Sequence, residues 1–182
     1  MDRALRRRLE ARFGSQLVGP IRQRYDETEI RIAPGDVPAV IQVLHDEPEF
    51  GFTFLADLAG VDTGEHMQVV YHLWSATTPD WLRVIADSMP REDPRVPTLT
   101  GLWPGAEWME RETYDMFGII FEGNRDLRRI YMPPGYTSFP LRKDFYLADD
   151  AARSPGGGVR HMEQTQAPAQ ATPRVVRRTV KA

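Results

Sequence analysis

Any chemistry performed by this chain must come from its carboxylates and arginines. They crowd into residues 110–130, ERETYDMFGIIFEGNRDLRRI, and recur in PLRKDFYL at 140–147. Paired acids can do general acid–base work when burial drives their pKa values apart. On a helix through 104–117, though, Glu107–Arg111 and Arg111–Asp115 are each four residues apart. A guanidinium one turn from two acids holds both as anions. The plainest reading is a solvated helix face, where each such pair contributes only ~0.3–0.5 kcal/mol. A third reading suits the neighbouring residues better. Trp103, Trp108, Met109, Tyr114, Met116 and Phe117 accompany these charges, and aromatics, Met and Arg are the types enriched where proteins meet.

Other chemistries lack their residues. The chain contains no cysteine, which removes disulfides, thiolate-held iron–sulfur clusters and Cys-type zinc sites. Its histidines are His45, His66, His72 and His161, and none begins an HExxH pair. His66 and His72 have the even spacing of one strand face, fitting either a metal pair or two ordinary strand-end histidines. The sequence holds no GxxxxGK[ST], GxGxxG or GxSxG, so no phosphate cradle or nucleophile elbow is expected.

The elements that must position the charged stretch can be read from periodicity. Leu5, Leu9, Phe13 and Leu17 recur every four residues and predict an amphipathic first helix. The acids Asp2 and Glu10 argue against a mitochondrial presequence, the minority reading, and no apolar core suggests a secretory signal. Residues 27–33 alternate as a strand. Residues 34–48 form a helix with Asp36 as its cap and Pro38 in the first turn. Strands follow at 52–58, 66–74 and 81–87, the short loops between them predicting antiparallel pairing. The expected fold is α+β, with a mixed, largely antiparallel four-strand sheet and helices on one face.

From Pro90 the pattern changes. Pro90, Pro94, Pro97 and Pro104 keep the chain extended until a helix starts near Pro104 and stops at Gly118. Four segments result: an α+β domain at 1–89, a Pro-rich connection with the charged helix at 90–121, an extended partner-wrapping segment at 122–150, and a flexible basic tail at 151–182. In that tail Arg153, Arg160, Arg174, Arg177, Arg178 and Lys181 face only Glu163. It therefore carries a formal +5 and leaves −8 for residues 1–150 of a net −3 chain. Without interleaved aromatics the tail is a poor single-strand binder, so nucleic acid is not an expected partner. No apolar run approaches the ~18 residues of a membrane span.

The run ERETYDMFGIIFEGNRDLRRI followed by PLRKDFYL resembles the signature of the 30-kilodalton (C) subunit of proton-translocating NADH:quinone oxidoreductase, respiratory complex I. DPRVPTLTGLWPGAEWMERE resembles the family's approach to that helix. Asn124-Arg125 stand where the family usually has His-Pro, and PLRKD continues as FYL rather than YPL. The resemblance implies a structural subunit of the peripheral arm, without catalytic residues and with no cofactor or metal of its own. FMN and iron–sulfur clusters would belong to partner subunits, the 49-kilodalton subunit foremost. Membrane association would be peripheral, through the complex, on the cytoplasmic face or the matrix face in a eukaryote. The implied subunit-interface residues are Glu110, Arg111, Glu112, Asp115, Phe117, Gly118, Asp126, Leu127, Arg128, Arg129, Pro140, Leu141, Arg142, Lys143 and Asp144. Membrane-bound hydrogenases and other quinone-linked dehydrogenases that reuse this module are the alternative setting.

Overall fold

The computed structural model describes residues 3–25 and 27–146. The described residues up to Phe145 form one compact unit, in which the expected 1–89 and 90–121 segments and the described part of 122–150 pack together. The expected tail at 151–182 lies outside the described residues.

Helix α1 (Arg3–Phe13) buries Leu5, Leu9 and Phe13. Strands β1 (Arg22–Arg24) and β2 (Glu27–Ile32) follow, then α2 (Val37–Asp46), which buries Val37, Val40, Ile41 and Leu44. Asp36 does not cap α2 with its side chain; it closes a short 3₁₀ turn at Pro34–Asp36 that leads straight into the helix. Strands β3 (Phe54–Asp62), β4 (Met67–Trp74) and β5 (Trp81–Met89) complete the main sheet in the order β1-β2-β5-β4-β3. β2 and β5 are parallel and the other neighbours antiparallel, giving the expected mixed, largely antiparallel sheet. The three-residue β1 is a fifth strand beyond the four read from sequence. It is too short to show a period.

One sheet face carries Ile30, Leu58, Val69, Tyr71, Leu73, Leu82 and Val84, which join the buried faces of α1 and α2 in a single core. The other carries polar rows. Asp57, His72, Arg83, Glu29 and Arg22 lie side by side across all five strands. His66 and His72 do share this face, but each meets its own acid: His66 Nε2 lies 2.8 Å from Asp87, and His72 Nδ1 lies 3.3 Å from Glu27.

The Pro-rich stretch contributes β6 (Arg95–Pro97), which pairs in parallel with β7 (Ile120–Glu122). Between them α3 spans Ala106–Phe117, two residues inside the expected start, and ends at Gly118 in the left-handed region, φ 74°. Strand β3 runs on to Asp62, past the strand end expected at Leu58. Gly60 serves packing there. A Cβ there would stand 2.7 Å from Phe117 Cδ2 and 2.8 Å from Thr113 Cγ2, so its absence lets α3 lie directly on the strand.

Candidate functional site

The charged helix is not a solvated face. Glu110, Arg111, Thr113 and Asp115 are all buried, and each charge is consumed by main chain or side chains arriving from elsewhere. Asp115 has no exposed side-chain surface. Its Oδ2 accepts the N–H groups of Ile130 (3.0 Å), Tyr131 (2.6 Å) and Met132 (3.0 Å), a nest of successive amides around one anion. Its Oδ1 accepts Arg129 Nη1 at 2.7 Å. Burial alone would raise this carboxyl's pKa; the Met132 amide, the Arg129 guanidinium and the other two amides outweigh it and hold the pKa below the usual range.

Arg129 extends the clasp. It donates to the carbonyls of Asp115 (3.0 Å) and Ser138 (3.1 Å), and its guanidinium lies over the rings of Phe139 (5.0 Å), Tyr136 (5.7 Å) and Tyr114 (5.9 Å). Arg111 turns away from Glu107 and Asp115, its expected partners. It donates to the Arg128 carbonyl at 3.1 Å, approaches Asp126 at 3.7 Å, and stacks on Trp108 at 4.9 Å. The amide nest has already saturated Asp115, so Arg111 satisfies carbonyls of the same returning loop.

Glu110 fastens the other side of α3. It accepts the Leu99 amide (2.8 Å), the Thr98 hydroxyl (2.6 Å) and Asn124 Nδ2 (2.8 Å). Burial is the leading cause of its raised pKa, which these three donors partly offset. Asn124, one of the two departures from the family pattern, also accepts the Asp126 amide at 2.9 Å. It therefore supplies the turn from its own side chain.

The PLRKD segment fastens the extension to the β3–β4 hairpin. Arg142 donates to the carbonyls of Phe117 (2.6 Å) and Arg91 (2.9 Å) and lies over Phe139 at 4.7 Å. Asp62 accepts the Lys143 amide (2.9 Å), Arg91 Nη2 (2.8 Å) and the Gly64 amide (2.8 Å). Burial opposes ionisation here too, but the Lys143 amide, Arg91 and the Gly64 amide bring the pKa to about 2. Lys143 Nζ reaches the Thr63 carbonyl at 2.9 Å.

Thus Glu110, Arg111, Asp115, Arg129 and Arg142 converge on main chain of this molecule. Gly118 ends α3, and a Cβ on it would stand 2.6 Å from the Phe139 ring. Phe117 and Leu127 pack against the core half-buried, Pro140 is half-buried, and Asp126 pairs with Arg128 at 2.8 Å. Glu112, Arg128, Leu141, Lys143 and Asp144 are exposed. Sequence reasoning did not place Asp62, Arg91, Thr98 or Asn124 among the site residues. No local pattern joins Asp62 to Lys143, which lies eighty-one positions along the chain. The outer surface of the clasp also presents Trp108, Ile130 and Tyr131 at 59%, 36% and 62% exposure.

An α+β domain that straps down its own C-terminal extension with buried carboxylates has the makings of a binding or structural module. Comparison with known proteins gives its kind. Residues 30–151 match the model of the respiratory-chain NADH dehydrogenase 30 Kd subunit, and the chain belongs to that family. It is 43% identical over 145 residues to the C subunit of NADH-quinone oxidoreductase from Roseiflexus sp. (strain RS-1), covering 77% of this chain and 81% of that one. It is 44% identical over 119 residues to the C 2 subunit of the enzyme of the same name from Rhizobium meliloti (strain 1021), covering 64% of each. Among solved structures, a chain of the archaeal membrane-bound sulfane sulfur reductase, a respiratory membrane complex, shares the fold at TM-score 0.65. The identity is 22%, with 96% of both chains covered.

Proposed function

We propose that this chain is a non-catalytic structural subunit of the peripheral arm of NADH:quinone oxidoreductase. In this reading electrons pass from NADH through FMN and iron–sulfur clusters in partner subunits to quinone, coupled to proton translocation. The chain holds the quinone-proximal subunits in register, with the 49-kilodalton subunit as its principal partner. Among the described residues no helix is long and apolar enough to cross a membrane, and the reading gives the chain a peripheral position on the cytoplasmic face. One observation carries it. Arg111, Asp115 and Arg142 of the signature are spent on fixing the 128–142 backbone, while Tyr131 and Leu141, 62% and 55% exposed, are held outward from that fixed backbone. A fixed loop displaying apolar side chains binds at a lower ordering cost than a free one.

The test uses Tyr131→Ser with Leu141→Asp, and separately Arg129→Ala, in the native host. The expected outcome is less assembled complex in the membrane, with an unchanged flavin spectrum in the free NADH-oxidising module. Full assembly with lost turnover would refute the structural role. The companions that co-purify decide the setting: a nickel–iron protein in place of an NADH-binding flavoprotein would move the same role to a hydrogenase-type complex.

A further inference from the structure

Tyr71 on β4 has no exposed surface, and its hydroxyl is bonded to no atom of the described residues. Burial, and after it the charge of Glu110, drives the pKa of this phenol well above its usual value. The hydroxyl therefore keeps its proton and stands as a donor. A buried donor left unbonded is costly, and folded proteins rarely keep one.

The course of α3 brings Glu110 over that hydroxyl. Trp103, just before the helix, donates to the Thr53 carbonyl at 2.8 Å, and Ala106 and Met109 line one groove with Phe54 and Leu55. At the other end Thr113 and Phe117 lie against Gly60. The helix thus runs antiparallel to β3, and Glu110 falls between Leu55 and Gly60, at the level of Leu58. Tyr71 is the cross-strand neighbour of Leu58, on the same buried face of the sheet. Glu110 is also fully buried, and it has acceptor capacity to spare. A carboxylate takes about four hydrogen bonds. Its Oε2 receives Thr98 Oγ1 and Asn124 Nδ2, whereas Oε1 receives only the Leu99 amide. A buried donor without an acceptor therefore lies beneath a buried acceptor short of one donor.

We infer that Tyr71 Oη and Glu110 Oε1 hold one buried water between them, which makes Tyr71 a positioning residue for the charged framework. The two groups stand beyond direct hydrogen-bond distance. A water that accepts from the phenol and donates to the carboxylate satisfies both. The bridge ties β4, an inner strand of the sheet, to the helix whose Asp115 holds the loop at 130–132. It also gives Glu110 a fourth donor, which favours the anion and so its hold on Leu99 and Asn124. The inference concerns the interior of this chain and stands whichever complex the chain serves.

Tyr71→Phe in the full chain removes only the hydroxyl. Were the phenol an unbonded donor, the change would relieve its burial, and the thermal midpoint would hold or rise. The bridge predicts the reverse: a midpoint lowered by roughly 2–4 °C, with exchange of the Leu99 amide about fivefold faster. Carbon-13 NMR of the Glu110 carboxyl should show its titration displaced upward in Tyr71→Phe, because a donor to the anion is gone. Loosened packing alone would admit solvent and displace it downward. A high-resolution crystal structure of the full chain should show the water bonded to both Tyr71 Oη and Glu110, and Tyr71→Phe should lose it. A midpoint unchanged or raised, a titration unmoved or displaced downward, or a Tyr71 hydroxyl bonded to anything but that water would each overturn the inference. If Tyr71→Phe fails to fold, the wild-type electron density decides alone.

Discussion

Replacing Asp115 by Asn keeps the size of the side chain and removes its charge, which isolates what the anion does. The carboxylate accepts four hydrogen bonds, three from consecutive amides and one from Arg129. Bonds to a charged group are worth roughly 1.5–3 kcal/mol apiece, but their sum would exceed the ~3–5 kcal/mol lost when one side of a buried pair is removed. The lower range is thus the ceiling, approached by Asp115→Ala, which strands the Arg129 guanidinium. Asn can still point its one oxygen at the three amides, which turns its NH₂ toward Arg129, donor against donor. The amide bonds weaken and the ion pair is gone, a loss of about 2–3 kcal/mol. Because every 1.4 kcal/mol is tenfold, local opening of the loop should become on the order of a hundredfold more frequent. Hydrogen exchange of the Ile130, Tyr131 and Met132 amides reads this directly, with the Leu99 amide, held by Glu110, as the internal control. Unchanged exchange at all three amides would show that the nest does not hold the loop.

The second clasp has a pH signature. Asp62 has its pKa lowered from 3.8 to about 2. A carboxyl depressed on folding contributes stability above its unfolded pKa that is lost as pH falls through the folded value. Anchoring of Lys143 should therefore weaken between about pH 4 and pH 2, by an amount on the order of 2 kcal/mol. Asp62→Asn should be weaker at neutral pH and nearly flat across that window, as followed by exchange of the Lys143 amide. Gly60→Ala should cost about 1–3 kcal/mol through overpacking, because the new methyl group falls 2.7 Å from Phe117. The loss should appear as a lower thermal midpoint together with faster exchange along α3. A midpoint equal to wild type would show that α3 can shift freely on β3.

Long elements are legible in the sequence, and short ones are not. The four-residue recurrence of Leu5, Leu9 and Phe13 and the alternation of Met67, Val69, Tyr71 and Leu73 survive folding, because each simply turns one apolar face inward. Strands β1, β6 and β7 have three residues each and no period to display. Gly118 reads correctly as a helix stop, since only a left-handed residue closes the helix there. The strand end expected at Leu58 falls short of Asp62, because a glycine such as Gly60 that makes room for a helix looks locally like one that makes a bend. The charged residues are legible as a framework, but their partners are not. Helical spacing pairs Arg111 with Asp115, whereas the fold gives Asp115 to three amides, which carry no residue identity.

Those amides also bear on why the signature reads as three separated blocks. A catalytic carboxylate needs a lone pair free to take a substrate proton. Every donor that meets Glu110 and Asp115 comes from this chain's own loops. The acids of α3, the DLRR loop and PLRKD therefore work as one unit: the helix supplies anions, the loop supplies amides and Arg129, and the last block returns to Asp62. Ile130, Tyr131 and Met132 are held by their amides, which leaves their side chains to be aimed. Tyr131 is the sharpest case, with its amide bound at 2.6 Å and its ring 62% exposed. Ordering such a side chain on contact would otherwise cost about 0.5–1.5 kcal/mol. In the proposed structural role, the buried charge would contribute to docking without touching the partner, by having the loop in shape before the partner arrives.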